Sequence, residues 1–430
     1  MASGAPARPD RPVPTVTPEE PPGDAPDGHR PPLAGVRVIE LGNFVAAPSA
    51  ARLLGEFGAE IIKIEQPGVG DEVRRWRLGR GETSMMWRTL ARNKKSVTLD
   101  LRRPEGQDLV RRLAATADVV LENYRPGTLE KWGIAPDVLR RDNPSLVVVR
   151  ISGYGQTGPY RDRPGFGGVA EALGGLRHLT GHPDRPPTRV GVSLGDQLAG
   201  LHAVIGALLG LRARERRPAE EGETVDVALY EAVYSIMEGL VPEYSAYGLV
   251  RERSGNAIPG VAPSNTYPCR DGDWVVIGAN SDTLFRRLMI AIGRDDLATD
   301  ARLRGNAGRA AHATMLDDAI AAFTVTRRLD EMSAILDAAQ VPGGPIYSAA
   351  DIVADPHFRA RDMLVPLDVV VVEDEVETVP FPGVVPKLAR RPGAIRWLGP
   401  ELGEHTDEVL VELLGLAPEE IAQLRGDGVV

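Results

Sequence analysis

The stretch 33–65 constrains the fold more than any other. Leu33-Ala34-Gly35-Val36-Arg37-Val38-Ile39-Glu40-Leu41 is a short apolar strand, residues 48–57 read as a helix closed by Gly58, and Glu60-Ile61-Ile62-Lys63-Ile64-Glu65 is a second strand. Strand, helix, strand in so short a span is a βαβ unit, and strands joined that way run parallel. The turn after the first strand, Gly42-Asn43-Phe44-Val45-Ala46-Ala47-Pro48, lacks the G-x-G-x-x-G spacing that brings backbone amides against a pyrophosphate. The start is therefore Rossmann-like, but a nicotinamide enzyme is not expected.

The alternation continues. Residues 96–101 read as a strand, 104–116 as a helix with Leu109, Val110 and Leu113 at helical spacing, and 118–123 as a strand. Residues 144–151 are almost wholly apolar, as a strand buried on both faces should be. A second strand-and-long-helix unit is expected over 222–232 and beyond. From about 253 to 348 the texture changes: a strand over 274–278 is followed by helical stretches near 281–292, 311–323 and 328–339. The expected fold is α/β, with a Rossmann-like large domain built on a parallel sheet and a smaller α+β domain. The large domain's N-terminal part takes 33–229, a linker 230–252, the small domain 253–347, and 348–430 forms a second linker and a return to the large domain. Residues 1–32, rich in Pro and Gly with acids at Asp10, Glu19, Glu20, Asp24 and Asp27, lack hydrophobic periodicity. They read as a disordered tail with neither a signal-peptide core nor transit-peptide composition.

At 430 residues with 43% hydrophobic content the chain can bury a large core. Its net charge of −10 gives no general reason to bind nucleic acid or an anionic membrane. The one cysteine, Cys269, forms no internal disulfide and has no His partner nearby, so a cytoplasmic setting is expected and a cysteine nucleophile is not. The apolar run 201–211 reads as too short to span a bilayer.

Chemistry concentrates ahead of that run, in Arg189-Val190-Gly191-Val192-Ser193-Leu194-Gly195-Asp196-Gln197-Leu198-Ala199-Gly200. Asp196 has two readings. It caps the helix that follows, or it is a carboxylate nucleophile kept ionised by the helix N-terminus, with the flanking glycines leaving room for a bulky substrate. The two are compatible, and spacing alone does not choose.

Pro187-Thr188, Gly195-Asp196, Gly200 and a long helix ending in Arg212-x-Arg214 resemble the class III CoA-transferases, the family of formyl-CoA and carnitine CoA-transferases. So do Leu33-x-Gly35-Val36-x-Val38, Gly58-Ala59-x-x-Ile62-Lys63-Ile64-Glu65, Asn93-Lys94-Lys95-Ser96-x-x-Leu99-Asp100 and Glu122-Asn123-Tyr124-x-Pro126-Gly127. Ser152-Gly153-Tyr154-Gly155-x-x-Gly158-Pro159 and the closing Gly403-Glu404-His405-Thr406-Asp407-Glu408-Val409-Leu410 complete the set. The resemblance implies a CoA-transferase with Asp196 as the acyl-accepting nucleophile, a CoA thioester as substrate and no permanent cofactor or metal. It also implies an interlocked homodimer with linkers near 230–252 and 345–360.

For CoA, a large anion, the resemblance implies Leu99 and Arg102 at the adenine end, Asn123 and Tyr124 along the pantetheine arm and Lys131 near the phosphates. Arg74 is a further cation candidate, with Lys94 and Lys95 behind it. Trp76 matches a gating Trp of formyl-CoA transferases. The loop 254–265, including Gly260, Val261 and Ala262, occupies the position of the family's glycine loop over the substrate pocket, and its prolines should stiffen it. Backbone N–H groups around Gly195 and this loop are candidate oxyanion donors. Relatives often carry Gln where this chain has Val45 and an acid where it has Gly167, which leaves Glu171 as the nearest acid on that segment: a second candidate base or, the preferred reading, a helical Glu that faces solvent. Arg177, His178 and Arg189 replace small residues and suit the free carboxylate of a dicarboxylate. With Gly165-Phe166-Gly167 and residues 262–268, they resemble the branch that uses succinyl-CoA and C4–C6 dicarboxylates. Two alternatives stand beside this reading. An α-methylacyl-CoA racemase would need Gly-His-Asp where this chain has Gly165-Phe166-Gly167, and a non-catalytic CoA-binding relative would have little use for Asp196.

Overall fold

The computed structural model describes residues 30–77, 84–217, 221–372 and 375–430. Most of the Pro-rich stretch expected to be a tail therefore lies outside the described residues. The chain divides into two compact units, one from residues up to 162 with 197–228 and 361–430, the other from 163–196 and 229–360.

The first unit is built on a six-stranded, wholly parallel sheet. Its strands are β1 (Arg37–Glu40), β2 (Glu60–Glu65), β3 (Lys94–Thr98), β4 (Val119–Glu122), β5 (Val147–Ser152) and β6 (Thr224–Ala228), in spatial order β3-β2-β1-β4-β5-β6. The strand sequences explain this. β5 is Val-Val-Val-Arg-Ile-Ser and is buried along its whole length, which suits β-branched residues covered on both faces. Helices Ala46–Glu56 and Pro104–Ala115 pack on the sheet, the second through Leu109, Val110 and Leu113. The order reverses direction between β1 and β4, the place where open α/β sheets bind ligands beyond their carboxyl ends. There the loops after these two strands are tied reciprocally: Asn43 N–H donates to Asn123 Oδ1 (2.9 Å), and Asn123 Nδ2 donates to Asn43 O (2.7 Å).

The C-terminal segment belongs to this unit because β3 is its anchor. Trp397 Nε1 donates to Lys94 O (2.9 Å), Gly403 N–H to Ser96 Oγ (2.9 Å), and Thr98 N–H to Thr406 Oγ1 (3.0 Å). Two elements of this segment have no counterpart in the sequence reading: strands β10 (Leu364–Val372) and β11 (Glu375–Pro382), which pair antiparallel.

The second unit has an antiparallel sheet, β7 (Ser264–Pro268), β8 (Trp274–Gly278) and β9 (Gly343–Pro345), in order β7-β8-β9. Helices Asp282–Ala291, Ala313–Thr324 and Leu329–Ala339 close a core of Val275, Ile277, Leu288, Leu316, Ile320 and Met332 against it. Four shorter helices, Gly167–Leu173, Leu176–Leu179, Leu229–Tyr234 and Leu240–Tyr247, complete what matters for the site. The long helix expected after β6 is thus two short ones. The break falls at Glu238, whose φ of 54° is left-handed, and Gly239.

The helix expected over 201–211 is also longer than its apolar run. It spans Leu194–Arg216, 23 residues, and by length and composition alone it could cross a membrane, which corrects the reading of that run as too short. Its composition has another cause. Ala199, Ala203 and Ala207 are buried, and a Cβ on Gly206 would stand 2.3 Å from Val225 of β6, so a small-residue face packs inward while leucines turn out.

Candidate active site

Asp196 is the third residue of the Leu194–Arg216 helix, in its first turn rather than ahead of it as a capping residue would be. Three glycines decide where its carboxylate sits. A Cβ on Gly167, the first residue of the Gly167–Leu173 helix, would come within 2.2 Å of Asp196 Oδ2, so the carboxylate occupies the space that a side chain there would fill. A Cβ on Gly168 would meet Arg177 Nη2 at 2.8 Å. A Cβ on Gly195 would meet Glu171 Cγ at 3.2 Å and Gly167 O at 3.3 Å. Gly195 is therefore small because protein packs against it, not to admit substrate.

Glu171, one turn along from Gly167, does not face solvent. It is 1% exposed, and its Oε1 accepts the Gly195 N–H at 3.3 Å while Oε2 faces Arg177 Nη2 at 3.5 Å. This corrects two expectations at once: Glu171 is part of the site, and the Gly195 amide is engaged rather than free to hold an oxyanion. Around Asp196, burial pushes its carboxyl up to about 6, the negative charge of Glu171 adds to the rise, and Arg189 and the residue's own backbone N–H oppose it. A carboxylate tuned this way is ionised at neutral pH yet more basic than an exposed one.

The neighbouring residues are drawn together by Arg253, whose Nη1 donates to His178 O (2.9 Å), and by Gly255, whose N–H donates to Gly181 O (3.0 Å). His178 Nε2 lies 3.2 Å from Glu252 Oε2. The start of the 254–265 loop is thus pinned to the segment that leads into Arg189 and Asp196. Its far end is pinned elsewhere: Asn306 bonds Gly260 O and the Ala262 N–H, and the buried Arg309 donates to Ala262 O (3.0 Å), while Val261 N–H closes on Ile258 O. Prolines aside, these bonds stiffen the loop.

The CoA-end candidates all belong to the first unit, and they differ in what they are free to do. Arg74 is committed: it is bidentate on Glu65 (2.7 and 2.8 Å), donates to Pro400 O and stacks 3.7 Å over the Trp87 ring. Leu99 puts its side chain in the core and its N–H on Glu65 O, and Lys94 is buried against Glu40. Lys95 pairs with Glu60 and Glu408. Arg102 is exposed and paired with Asp100, Lys131 is exposed at the end of helix Thr128–Lys131, and Asn123 and Tyr124 lie directly after β4. Burial pushes the Tyr124 phenol up to about 12, and its ring meets Trp132 edge-on at 4.9 Å. Trp76 packs at 5.4 Å on Phe44. Among the described residues no group of three or more His, Cys, Asp or Glu is arranged to hold a metal.

Within the second unit, a half-buried Asp196 carboxylate made more basic by burial and by Glu171 suits nucleophilic acyl transfer. Comparison with known proteins makes the assignment specific: residues 33–406 match the model of CoA-transferase family III, and the chain belongs to that family. It is 49% identical to the succinyl-CoA–D-citramalate CoA-transferase of Chloroflexus aurantiacus, over 93% of this chain and 98% of the relative. It is 45% identical to the succinyl-CoA–L-malate CoA-transferase beta subunit of the same organism, over 93% and 98%. Among solved structures it resembles a CAIB/BAIF family protein from Brucella suis, with a TM-score of 0.79, 34% identity, and coverage of 90% of this chain and 100% of the other.

Proposed function

We propose that this CoA-transferase moves CoA from succinyl-CoA to a small dicarboxylate, with Asp196 as the nucleophile. The carrying observation is the half-buried Asp196 carboxylate, raised to about 6 and seated in the first turn of a helix beside Glu171 and Arg189, with Arg177 facing Glu171. The names of the relatives from Chloroflexus aurantiacus support the donor and the class of acceptor.

Asp196 attacks the thioester carbonyl of succinyl-CoA, the C–S bond breaks, and a mixed aspartyl–succinyl anhydride forms with CoA thiolate released. The thiolate attacks the aspartyl carbonyl, expels succinate and leaves an aspartyl–CoA thioester. The acceptor carboxylate attacks that carbonyl and again releases the thiolate, which finally attacks the acceptor's acyl carbon and regenerates the Asp196 carboxylate. Anhydrides are far better electrophiles than thioesters, so each step is easier than direct exchange. Arg177 is the better candidate for the acceptor's second carboxylate: its Nε is buried without a hydrogen bond, and its guanidinium is half-exposed. Arg189, exposed and close enough to Asp196 to offset its raised basicity, is the second candidate, and His178 the third. In the first unit, Arg102 and Lys131 are the exposed cations for CoA phosphates, with Asn123 and Tyr124 along the pantetheine arm. The working form is a homodimer whose linkers lie near 230–252 and 345–360.

The test uses the whole enzyme. Succinyl-CoA alone should leave a CoA adduct on Asp196, detected by mass spectrometry and discharged by citramalate or malate but not by butyrate. Asp196→Asn should fold normally, carry no adduct and show no turnover. Turnover by that variant, or discharge by monocarboxylates in preference to every dicarboxylate, would refute the reading.

A further inference from the structure

The buried charge of Glu171 has no structural explanation. Its backbone partner, the Gly195 N–H, needs only an acceptor, and a neutral Gln oxygen on the same stem would serve. Burying a carboxylate instead costs free energy unless it is well paired, and among the described residues the cation against it, Arg177, is at a long 3.5 Å. Three elements converge on the charge: the Gly167–Leu173 helix that carries it, the turn at Gly195-Asp196, and the Leu176–Leu179 helix that carries Arg177. Gly195, which has no side chain, allows Glu171 this close, and Gly167 leaves the space that the Asp196 carboxylate fills.

We infer that Glu171 is a positioning residue for CoA transfer: it clamps the turn bearing Asp196 through the Gly195 amide and sets the charge environment in which Asp196 reacts. The inference rests on Asp196 being the nucleophile. The charged groups that face Asp196 within this unit are Glu171 from its helix and Arg189 from the preceding loop, while Arg177 faces Glu171. Glu171 and burial push the Asp196 carboxyl up and Arg189 pulls it down. The nucleophile is active when ionised, so activity falls as pH drops through this value. Two opposing changes are therefore expected. Glu171→Gln keeps an acceptor for Gly195 but removes the anion, which moves the acid limb to lower pH. Arg177→Met removes the cation that partly offsets Glu171, which moves the limb to higher pH.

The readout is the rate of adduct formation from succinyl-CoA alone, measured across pH 4.5–8.5 on wild type and both variants. This half-reaction needs no acceptor. The limb should fall by roughly one pH unit in Glu171→Gln and rise in Arg177→Met, with the double variant matching Glu171→Gln. A purely structural role would lower the rate at every pH without moving the limb. Should Glu171→Gln not fold, the Arg177→Met shift alone decides. Limbs that stay at the wild-type position while the adduct still forms on Asp196 would overturn this inference and leave the nucleophile intact; no adduct on wild type would overturn the nucleophile itself.

Discussion

At the scale of single residues, Gly167 is where the site is most exposed to a small change. Asp196 Oδ2 lies 2.2 Å from where a Cβ at 167 would stand, and Asp196 Cγ lies 2.8 Å from it. The atom that must yield is the end of a flexible side chain, so Gly167→Ala should fold almost normally and re-aim the carboxylate. Displacing a nucleophile by about an ångström costs roughly a hundredfold in rate. We expect kcat to fall by a factor of that order with a thermal midpoint within a few degrees of wild type; unchanged turnover would mean the carboxylate is not held there in the reacting state. Asp196 itself is legible in the sequence, because a Gly-Asp at the head of an apolar run is a visible pattern. Glu171 is not. Its burial depends on Gly195, far along the chain, being without a side chain, and two exposed neighbours, Ala172 and Leu173, hide any inward face in a helix of seven residues. An acid four residues after a Gly-Gly pair is the one signal that points to it.

At the scale of elements, β1, β2, β4 and β5 are legible because their runs are rich in apolar β-branched residues, whereas β7 (Ser-Asn-Thr-Tyr-Pro), β9 (Gly-Gly-Pro), the C-terminal β10–β11 pair and the break in the helix after β6 are not, because the apolar pattern does not mark them. What fixes β1, β2 and the start of β3 relative to their loops is a buried charge network. Lys63 of β2 lies 2.9 Å from both Glu40 and Asp71 and donates to Gly42 O (2.6 Å), Lys94 of β3 lies 2.7 Å from Glu40 and donates to Pro48 O (2.8 Å), and Asp71 accepts the Phe44 N–H (3.1 Å). The acids hold Lys63 well above the usual lysine range, whereas burial, with Lys63's own charge, pushes Lys94 down to about 8. The run Glu60-Ile61-Ile62-Lys63-Ile64-Glu65 does not itself mark Lys63 as buried; the sheet's coverage on both faces does that. Lys63→Met would leave Glu40 and Asp71 short of a partner in the interior, a loss of about 3–5 kcal/mol. Chemical denaturation should show a drop of that size together with weakened CoA binding, since the same network anchors the loop after β1; a stability within about 1 kcal/mol of wild type would show that the acids find compensation.

At the scale of the whole molecule, the Leu194–Arg216 helix carries the strongest argument for a partner. Leu201, Ile205, Leu208 and Leu209 recur at helical spacing along one side and are all exposed, Leu209 at 65%, while the small-residue side is buried. In the second unit, Tyr234, Ile236, Val241, Tyr244, Leu249 and Val250 lie within the stretch 230–252 and are exposed too, and Tyr247 is 82% exposed. A run of exposed apolar residues this large marks a surface that is covered by something. A lipid bilayer would also cover an apolar helix, but this one bears Asp196 in its first turn and Arg212, Arg214 and Arg216 in its last turns, and its inner face is committed to the parallel sheet through Gly206 and Val225. The proposed homodimer would instead cover this surface with a second copy of the chain. Ultracentrifugation at micromolar concentration should give a single species of two 46.2 kDa chains, without detergent and without a monomer fraction on dilution. Leu209→Glu, which places a charge on the exposed stripe and touches nothing buried, should produce monomer or aggregate and lose activity. A wild-type monomer that turns over normally would rule the dimer out.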